Sequence, residues 1–420
     1  MGLTRRTLLL SLGVLPWYVR GQGSGARVVI VGGGFAGATA ARYLRLADPT
    51  LDVRLIEPHL AVHTCPFSNH VLGGLRDLAS LRQDFTGLTR LGAQHVRARA
   101  VAVDRTARHV RLDEGSRIGY DRLMLAPGID FRWGAIDGYG PEMAERVPHA
   151  WQAGPQTGLL WRQLQAMDDG GTVLIGVPDN PYRCPPGPYE RASLIAHYLT
   201  RHKPRSKVLI LDAKDSFSKQ ALFQQAWAQR YSGRVEWVGR SDDGRVMGIA
   251  SNGRELHTEF GGRHRGAVIN LIPPQQAGAI AIHAGLTDDS GWVPLEATTF
   301  RTRADPYLYV AGDAGIAAPM PKSAYCANAQ AKVAVAAMLA DLAGQPAPEP
   351  HWHNVCYSLL APERAVSVAA GYRVEAGRLV EVPGTAVLSP LDAPDRLRID
   401  EAERAQAWYR AIRADAWGAA

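Results

Sequence analysis

The sequence predicts an α/β protein with two dinucleotide-binding-type domains, followed by a C-terminal α+β domain. Three observations predict this fold class: a glycine-rich turn after an apolar strand near the N-terminus, a second strand–helix–strand unit from about residue 172, and an apolar strand at 308–313 that returns to the first unit. A chain of 420 residues is long enough for two or three domains. With 46% hydrophobic and 21% charged residues, its composition is that of an ordinary globular protein.

The first unit reads strand, turn, helix, strand. Residues 27–31 form an apolar strand of the buried kind, and the turn Gly32-x-Gly34-x-x-Gly37 leads into an alanine-rich helix. Such glycines let the backbone turn tightly and approach a pyrophosphate at the positive end of the helix. Glu57 ends the next strand, where a carboxylate can accept hydrogen bonds from a ribose. These features together predict a dinucleotide site; the alternative is a glycine-rich turn in an unrelated α/β fold.

The strand at 308–313 ends in Gly312-Asp313, which resembles the second FAD-contacting motif of glutathione-reductase-like flavoproteins, proteins with two dinucleotide-binding domains. By itself, a Gly-Asp pair marks any boundary between a strand and a turn. Its pairing with the first motif, 280 residues upstream from Gly312 to Gly32, separates an FAD fold from an NAD-only fold. We therefore predict an FAD-binding domain that is split between 26–150 and 286–345.

The middle of the chain, 151–285, reads as a second dinucleotide-type domain, with strands at 172–177 and 207–211 and a helix at 189–200. An enzyme that uses NADH would carry a second Gly-x-Gly-x-x-Gly after the first of these strands. Residues 178–188 instead contain five prolines, which lack the backbone N–H groups that cradle a phosphate. We predict that this domain keeps the fold and lacks a nicotinamide site.

The four cysteines, Cys65, Cys184, Cys326 and Cys356, lie far apart in the sequence. Their spacing fits no zinc motif, so we predict no metal site. The sequence also has no Cys-x-x-Cys-His, so any c-type haem must be on another chain.

Cys184 lies in the proline-rich segment, which we expect to face the flavin ring. It and Cys356 could meet there as a redox disulfide, since thiol–disulfide exchange couples two-electron chemistry to a flavin. A structural disulfide is the alternative for any cysteine pair of an exported protein. Glu190, near a helix start, reads from its position alone as a favourable helix-terminus charge rather than a catalytic base.

The N-terminus carries Arg5-Arg6, followed by a short apolar run, the pattern of a twin-arginine export signal. The run contains Pro16 and is too short to span a membrane. We therefore predict that 1–25 is an export signal and that the mature protein is periplasmic; a frayed basic N-terminus is the alternative. The net charge of +7 is spread among acidic residues, which favours an acidic protein partner over nucleic acid.

Taken together, the chain resembles the flavoprotein subunit of flavocytochrome c sulfide dehydrogenase. The resemblance runs over nearly the whole sequence, and its most specific parts are four short segments: 63–69, 182–190, 320–323 and 354–359. The resemblance implies an enzyme that oxidises sulfide to zero-valent sulfur or polysulfide and passes the electrons to a c-type cytochrome subunit that carries the haem. It also implies that 346–420 helps to form the interface with that subunit.

The resemblance also implies a role for individual residues. Cys65 matches the cysteine that bonds covalently to the 8α-methyl group of FAD, and Cys184 and Cys356 match a redox disulfide beside the flavin. Glu190 matches a proposed acid/base, and Lys322 is a candidate for a basic flavin pocket. Cys326 matches no role and is expected to be a buried free thiol.

Three other functions stay open at this point. A sulfide:quinone oxidoreductase shares the fold and the cysteine chemistry, and residues 402–413 have the amphipathic character that membrane attachment needs. An NADH-dependent disulfide reductase fits less well, because the second glycine turn and a close cysteine pair are missing. An exported flavin-binding protein that docks a partner without turnover is a non-enzymatic alternative.

Overall fold

The structure is a computed structural model that describes residues 25–418. The predicted export signal with Arg5-Arg6 lies outside the described residues. Among the residues that are described, no helix has the length and apolar character needed to cross a bilayer.

The elements are numbered here in chain order. The helices are α1 Phe35–Ala47, α2 Ser68–Leu72, α3 Thr86–Arg90, α4 Pro141–Ala144, α5 Pro155–Ala166, α6 Gly187–His202, α7 Gln220–Arg230, α8 Ala279–His283, α9 Ala324–Leu342 and α10 Asp395–Trp417. The strands are β1 Arg27–Val31, β2 Asp52–Ile56, β3 Ala61–His63, β4 Arg82–Asp84, β5 Gln94–Val96, β6 Ala100–Asp104, β7 His109–Leu112, β8 Arg117–Gly119, β9 Arg122–Leu125, β10 Ile129–Phe131, β11 Thr172–Val177, β12 Lys207–Asp212, β13 Val235–Val238, β14 Val246–Ile249, β15 Glu255–Thr258, β16 Arg263–Arg265, β17 Val268–Leu271, β18 Gln275–Ala277, β19 Arg301–Thr302, β20 Asp305–Val310, β21 Trp352–Ala361, β22 Arg364–Glu375, β23 Arg378–Glu381 and β24 Val387–Leu388. Short 3-10 helices lie at Leu78–Leu81 and Arg240–Asp242.

The first sheet has the strand order β19-β20-β9-β1-β2-β5 and joins the N-terminal part of the chain to the returning strand β20. All its pairs are parallel except that of β19 with β20. Strand β1 is central and its apolar side chains are buried, as expected of a parallel strand covered on both faces. Helix α1 packs on this sheet beside α9, because its alanines allow close contact. The sheet confirms the predicted α/β fold class.

A second, fully parallel sheet has the order β13-β12-β11-β17. Helix α6 follows β11 and α7 follows β12, so this part of the chain repeats the strand–helix–strand arrangement of the first. Strands β10 and β18 lie in the two segments that connect the first sheet to the second, and they pair with each other in an antiparallel ladder.

The C-terminal part is a long hairpin, β21–β22, with β23 and β24 beside β22, and then the 23-residue helix α10. The sequence predicts only short strand-like pieces here, at 365–370 and 378–382. The hairpin is longer, and helix α10 returns across the molecule to pack on both β22 and α1. This return brings the end of the chain back to the first glycine turn.

Candidate active site

A cavity of about 700 Å³ lies where the first sheet, the second domain and the C-terminal hairpin meet. It is lined by the Gly32–Gly34 turn, the segment around Cys65, the loop that precedes α6, the end of β20, the middle of β21 and the inner face of α10. All the predicted site residues line this cavity except Gly37 and Lys322. The fold therefore brings together residues that are more than three hundred positions apart in the sequence.

The glycine turn is built for close backbone approach. Gly32 has φ +102°, and a Cβ added there would overlap the carbonyl oxygen of Ala126. A Cβ on Gly37 would overlap the carbonyl oxygen of Gly32, so this glycine shapes the turn from behind. Gly34 has open space on its Cβ side, and no side chain in the described part of the chain caps the helix that follows. The free N–H groups at the start of α1 thus fit a pyrophosphate.

The carboxylate of Glu57 is held against the same turn. It accepts hydrogen bonds from the backbone N–H of Gly33 at 3.0 Å and of His59 at 3.1 Å, and it lies 2.7 Å from the His59 ring nitrogen. Only 8% of Glu57 is exposed, yet it lines the cavity. This position suits a carboxylate that accepts hydrogen bonds from a ribose.

At the opposite wall, Gly312 and Asp313 follow β20. The Gly312 N–H donates to the side-chain oxygen of Gln330 at 2.8 Å. One carboxylate oxygen of Asp313 is buried and has no hydrogen-bond partner in the described part of the chain. Burial raises the pKa of this carboxyl. A buried acceptor at the cavity wall fits a ligand that brings hydroxyl donors, as the ribityl chain of a flavin does.

Lys322 lies beside the Gly312–Asp313 turn and does not line the cavity, and its role in a basic flavin pocket stays a prediction. Its ammonium donates to the carbonyl oxygens of Asp313 and Gly315 at 2.7 and 2.8 Å and lies 3.7 Å from the Trp292 ring centroid. Burial lowers the pKa of Lys322 to about 8. The lysine therefore fixes the Gly312–Asp313 turn from behind, and its own backbone oxygen accepts a hydrogen bond from the Cys184 N–H at 2.8 Å.

Three cysteines share the cavity, and Cys326 lies apart from them, buried in α9. All four are free thiols in the structure. Cys65 lies in the segment before α2, with its Sγ 3.7 Å from the carbonyl oxygen of Trp151. Cys184 adopts φ +56° in the loop before α6. Burial raises the pKa of its thiol, and the neighbouring Cys356 and Glu190 add to the rise. The Cys184–Cys356 disulfide stays a prediction.

Glu190 lies in the first turn of α6, where it lines the cavity and is partly buried beside the cysteines. Its carboxylate accepts from the Leu359 N–H at 2.8 Å and from the Asn69 amide at 2.7 Å. Burial raises the pKa of this carboxyl. It therefore joins α2, α6 and β21 at the cavity wall and can hold a proton close to the two sulfurs.

Sequence reasoning missed two buried cations of the site. Arg191 donates to the side-chain oxygens of Asn69 and Asn270 at 3.0 and 2.7 Å, and burial lowers its pKa to about 10. Lys219 lies at the start of α7, with its ammonium 2.8 Å from the carbonyl oxygen of Cys356. Neither residue belongs to a motif, and only the fold places it here. Trp408 and Trp417 of α10 also line the cavity, which the sequence did not indicate.

Three family models match the chain over separate stretches. The model of the central part of the sulfide dehydrogenase (flavocytochrome c) flavoprotein chain matches residues 157–273. The flavin-binding model of flavocytochrome c sulphide dehydrogenase matches residues 348–417. A pyridine nucleotide-disulphide oxidoreductase model matches residues 26–152. The second match covers the hairpin and α10, the same elements that close the cavity.

Individual proteins of two sulfide-oxidising classes are also similar to this chain. The flavoprotein chain of a flavocytochrome c sulfide dehydrogenase from Chlorobaculum thiosulfatiphilum is 62% identical over 45 residues, which are 11% of this chain and 94% of that sequence. The mitochondrial sulfide:quinone oxidoreductase of Mus musculus is 22% identical over 298 residues, 68% of this chain and 65% of the mouse protein. The solved sulfide:quinone oxidoreductase of Aquifex aeolicus shares the fold, with a TM-score of 0.73 at 17% identity, over 94% of this chain and 93% of that one.

Proposed function

Because the chain belongs to the family of flavocytochrome c sulfide dehydrogenase flavoprotein chains, we propose that it binds FAD and oxidises sulfide, with Cys184 and Cys356 as its redox pair. Zero-valent sulfur or polysulfide is the proposed product. The observation that carries this proposal is the convergence of Cys65, Cys184 and Cys356 on one cavity that also contains the glycine turn of a dinucleotide site.

The chain's own residues account for how FAD would be held. The start of α1 offers N–H groups to the pyrophosphate, Glu57 accepts from the ribose of the adenosine half, and Asp313 accepts from the ribityl side. The Cys65 thiol is the proposed point of covalent attachment. When bound, FAD supplies an acceptor for two electrons.

The sulfur chemistry is proposed to start from a disulfide between Cys184 and Cys356. Hydrosulfide forms a bond to one of the two sulfurs, the disulfide bond breaks, and its electron pair leaves with the other sulfur as a thiolate. The first cysteine then carries a persulfide. The new sulfur–sulfur bond replaces the disulfide bond, the hydrosulfide sulfur is oxidised, and the departing cysteine sulfur is reduced by the same two-electron exchange.

Glu190 is the proposed proton carrier of the site. Burial raises the pKa of the Glu190 carboxyl, which favours its protonated form, the form that an acid/base group needs in order to donate a proton. Its hydrogen bonds to the Leu359 N–H and to Asn69 hold the carboxyl group in place at the cavity wall.

The electron acceptor is proposed to be a c-type cytochrome subunit that carries the haem, since the sequence has no haem-attachment motif. The basic net charge of +7 favours an acidic partner surface. We also propose that the chain is exported to the periplasm by the twin-arginine pathway, on the basis of Arg5-Arg6.

Quinone is the second candidate acceptor, because sulfide:quinone oxidoreductases are among the similar proteins. Two of the three family models that match are those of flavocytochrome c, which favours the cytochrome.

The test is anaerobic turnover of the purified flavoprotein with sulfide, with a soluble c-type cytochrome or a short-chain quinone as the acceptor. We expect reduction of the cytochrome, and a loss of at least about a hundredfold in C184S and C356S. C326S is the matched control, because that thiol lies outside the cavity, and it should keep its turnover. Turnover that persists in both C184S and C356S would overturn the proposal. If only the quinone is reduced, quinone and not a cytochrome is the electron acceptor.

A further inference from the structure

Lys219 reaches the cysteine pair from the second domain. Its ammonium donates to the carbonyl oxygen of Cys356 and to the hydroxyl of Ser358, both at 2.8 Å, and lies 3.7 Å from the Cys356 sulfur. The residue is 7% exposed and has φ +65° immediately before α7. The Lys219 ammonium is thus held in the interior, in contact with one of the two sulfurs.

The charge of this ammonium is not neutralised by an ion pair. Among residues 25–418, no carboxylate forms a salt bridge with Lys219, and the contacts above are to neutral oxygens and to sulfur. A buried cation without an anion is costly, so proteins keep such groups where an anion forms. The nearest group here that can become an anion by losing a proton is the Cys356 thiol.

The two thiols of the pair differ in their surroundings. Burial raises the pKa of Cys184 and the neighbouring Cys356 and Glu190 add to the rise, while Lys219 and Arg183 act in the opposite direction. Cys356 has the lysine at its own sulfur, and the other titratable groups around it are Cys184, Glu190 and the buried Cys326 thiol. The electrostatic field of the site is therefore asymmetric, and it favours negative charge on one sulfur.

We propose that Lys219 is a positioning residue that holds Cys356 as the anionic member of the reduced cysteine pair. This inference rests on the proposed function, because it assumes that the pair cycles between disulfide and dithiol. In the reduced dithiol state, one proton leaves the pair to solvent or to Glu190. The remaining negative charge stays on the Cys356 sulfur beside the ammonium, and Cys184 keeps its proton.

The test uses the flavin-loaded protein, reduced anaerobically without sulfide. Each thiol is alkylated with iodoacetamide over a range of pH, and mass spectrometry of the peptides gives a separate midpoint for Cys184 and for Cys356. We expect the midpoint of Cys356 to be the lower of the two. In K219M it should rise by about one to three pH units, the effect of removing an opposite charge at this distance.

Three further variants make the result specific. K207M removes one positive charge, as K219M does, but from an exposed lysine that pairs with Glu236. It should leave both midpoints unchanged. K219R keeps the positive charge and should restore most of the low midpoint. K219Q keeps a donor for Ser358 without the charge and replaces K219M if that variant does not fold.

A Cys356 midpoint that is the same in wild type, K219M and K219Q would overturn the inference, as would a lower midpoint for Cys184. Because no sulfide is present, the outcome is independent of turnover. A protein that does not oxidise sulfide but shows the predicted midpoints would refute the proposed function and leave the lysine's role intact.

Discussion

The two strand-to-helix turns of this chain occupy equivalent places in the two parallel sheets and have opposite properties. After β1, the turn is short and glycine-rich, and the start of α1 is left uncapped by side chains. After β11, the turn is long and proline-rich, and its backbone N–H groups at Arg183, Cys184 and Gly187 donate within the protein. The start of α1 after the first turn leaves N–H groups for a phosphate, whereas the second turn uses its N–H groups to fix a cysteine.

The carboxylates that end the second strand of each sheet show the same contrast. Glu57 follows β2 and lines the large cavity. Asp212 ends β12, is fully buried, and accepts from the Tyr189 hydroxyl at 2.5 Å and the Trp237 indole at 3.0 Å. It also pairs with the Lys214 ammonium at 2.5 Å. No capacity for a ribose is left on Asp212, and the cavity near this second turn holds only about 60 Å³.

The same strand–helix–strand unit therefore has two different roles in this chain. The first copy keeps the features of a dinucleotide site, while the second keeps the sheet and converts its turn into a scaffold for Cys184. The absence of a nicotinamide site in the second domain stays a prediction, which the satisfied donors of its turn and the internal contacts of Asp212 support.

The largest expected effect concerns the glycines of the first turn. In G37A, the added Cβ would overlap the Gly32 carbonyl oxygen, a backbone atom, so the turn cannot keep its shape and the cost exceeds the ~1–3 kcal/mol of ordinary core overpacking. Thermal unfolding of G37A should show a marked loss of stability. G34A is the matched control: its Cβ meets open space, so the fold should keep its melting temperature while flavin binding weakens. Equal melting temperatures for both variants would contradict the difference in steric space between Gly37 and Gly34.

The next effect separates the two carboxylates. D212N leaves the Lys214 ammonium buried without its ion pair, and breaking such a pair costs about 3–5 kcal/mol. E57Q should cost less stability and lower the flavin content instead, because Glu57 faces the cavity. Denaturant unfolding and flavin absorbance per protein would measure both. Flavin loss from the folded fraction of D212N would give Asp212 the role assigned to Glu57.

The smallest effect concerns Glu190, an acidic residue in the first turn of α6 that α1 does not have. Burial raises its folded-state pKa above the ordinary 4.5, so the stability that its protonated form provides is complete below pH 4.5 and is lost as the pH rises through the folded pKa. In that window, the free energy of unfolding should fall by about 1.4 kcal/mol per pH unit in the wild type. E190Q should lack this fall, so its stability gains on the wild type as the pH increases.

Denaturant titrations at a series of pH values would follow this difference. A gap between E190Q and the wild type that stays constant with pH would show that the carboxyl ionises alike in the folded and unfolded chain.

The sequence predicted the parts of the site that depend on local chemistry. The glycine turn, Glu57 and Gly312-Asp313 follow from rules of backbone shape and strand position, and the structure places them at one cavity. The sequence raised a Cys184–Cys356 redox disulfide as one possibility beside a structural disulfide. The family resemblance assigned that pair and the role of Cys65, because spacing alone does not say which distant cysteines meet. The resemblance itself is confirmed by the family models.

The rest of the site depends on tertiary packing. Lys219 precedes an ordinary helix, and only the packing of β21 against the second domain brings it to Cys356. Lys322 stays a candidate for the basic flavin pocket, and the structure adds that its ammonium contacts the carbonyl oxygens of Asp313 and Gly315. From the sequence, residues 402–413 have only weak amphipathic character. The reason is that the tryptophans of helix α10 line the cavity instead of packing in a core of their own domain.

The most direct test of the account is acid precipitation of the purified protein, followed by digestion and mass spectrometry of the yellow fraction. We expect flavin to stay with the pellet on the peptide that contains Cys65. C65A should release it, and C326A, a substitution outside the cavity, should retain it. Flavin that leaves the wild-type protein for the supernatant would contradict the covalent assignment of Cys65 and shift the proposal toward a quinone-linked relative.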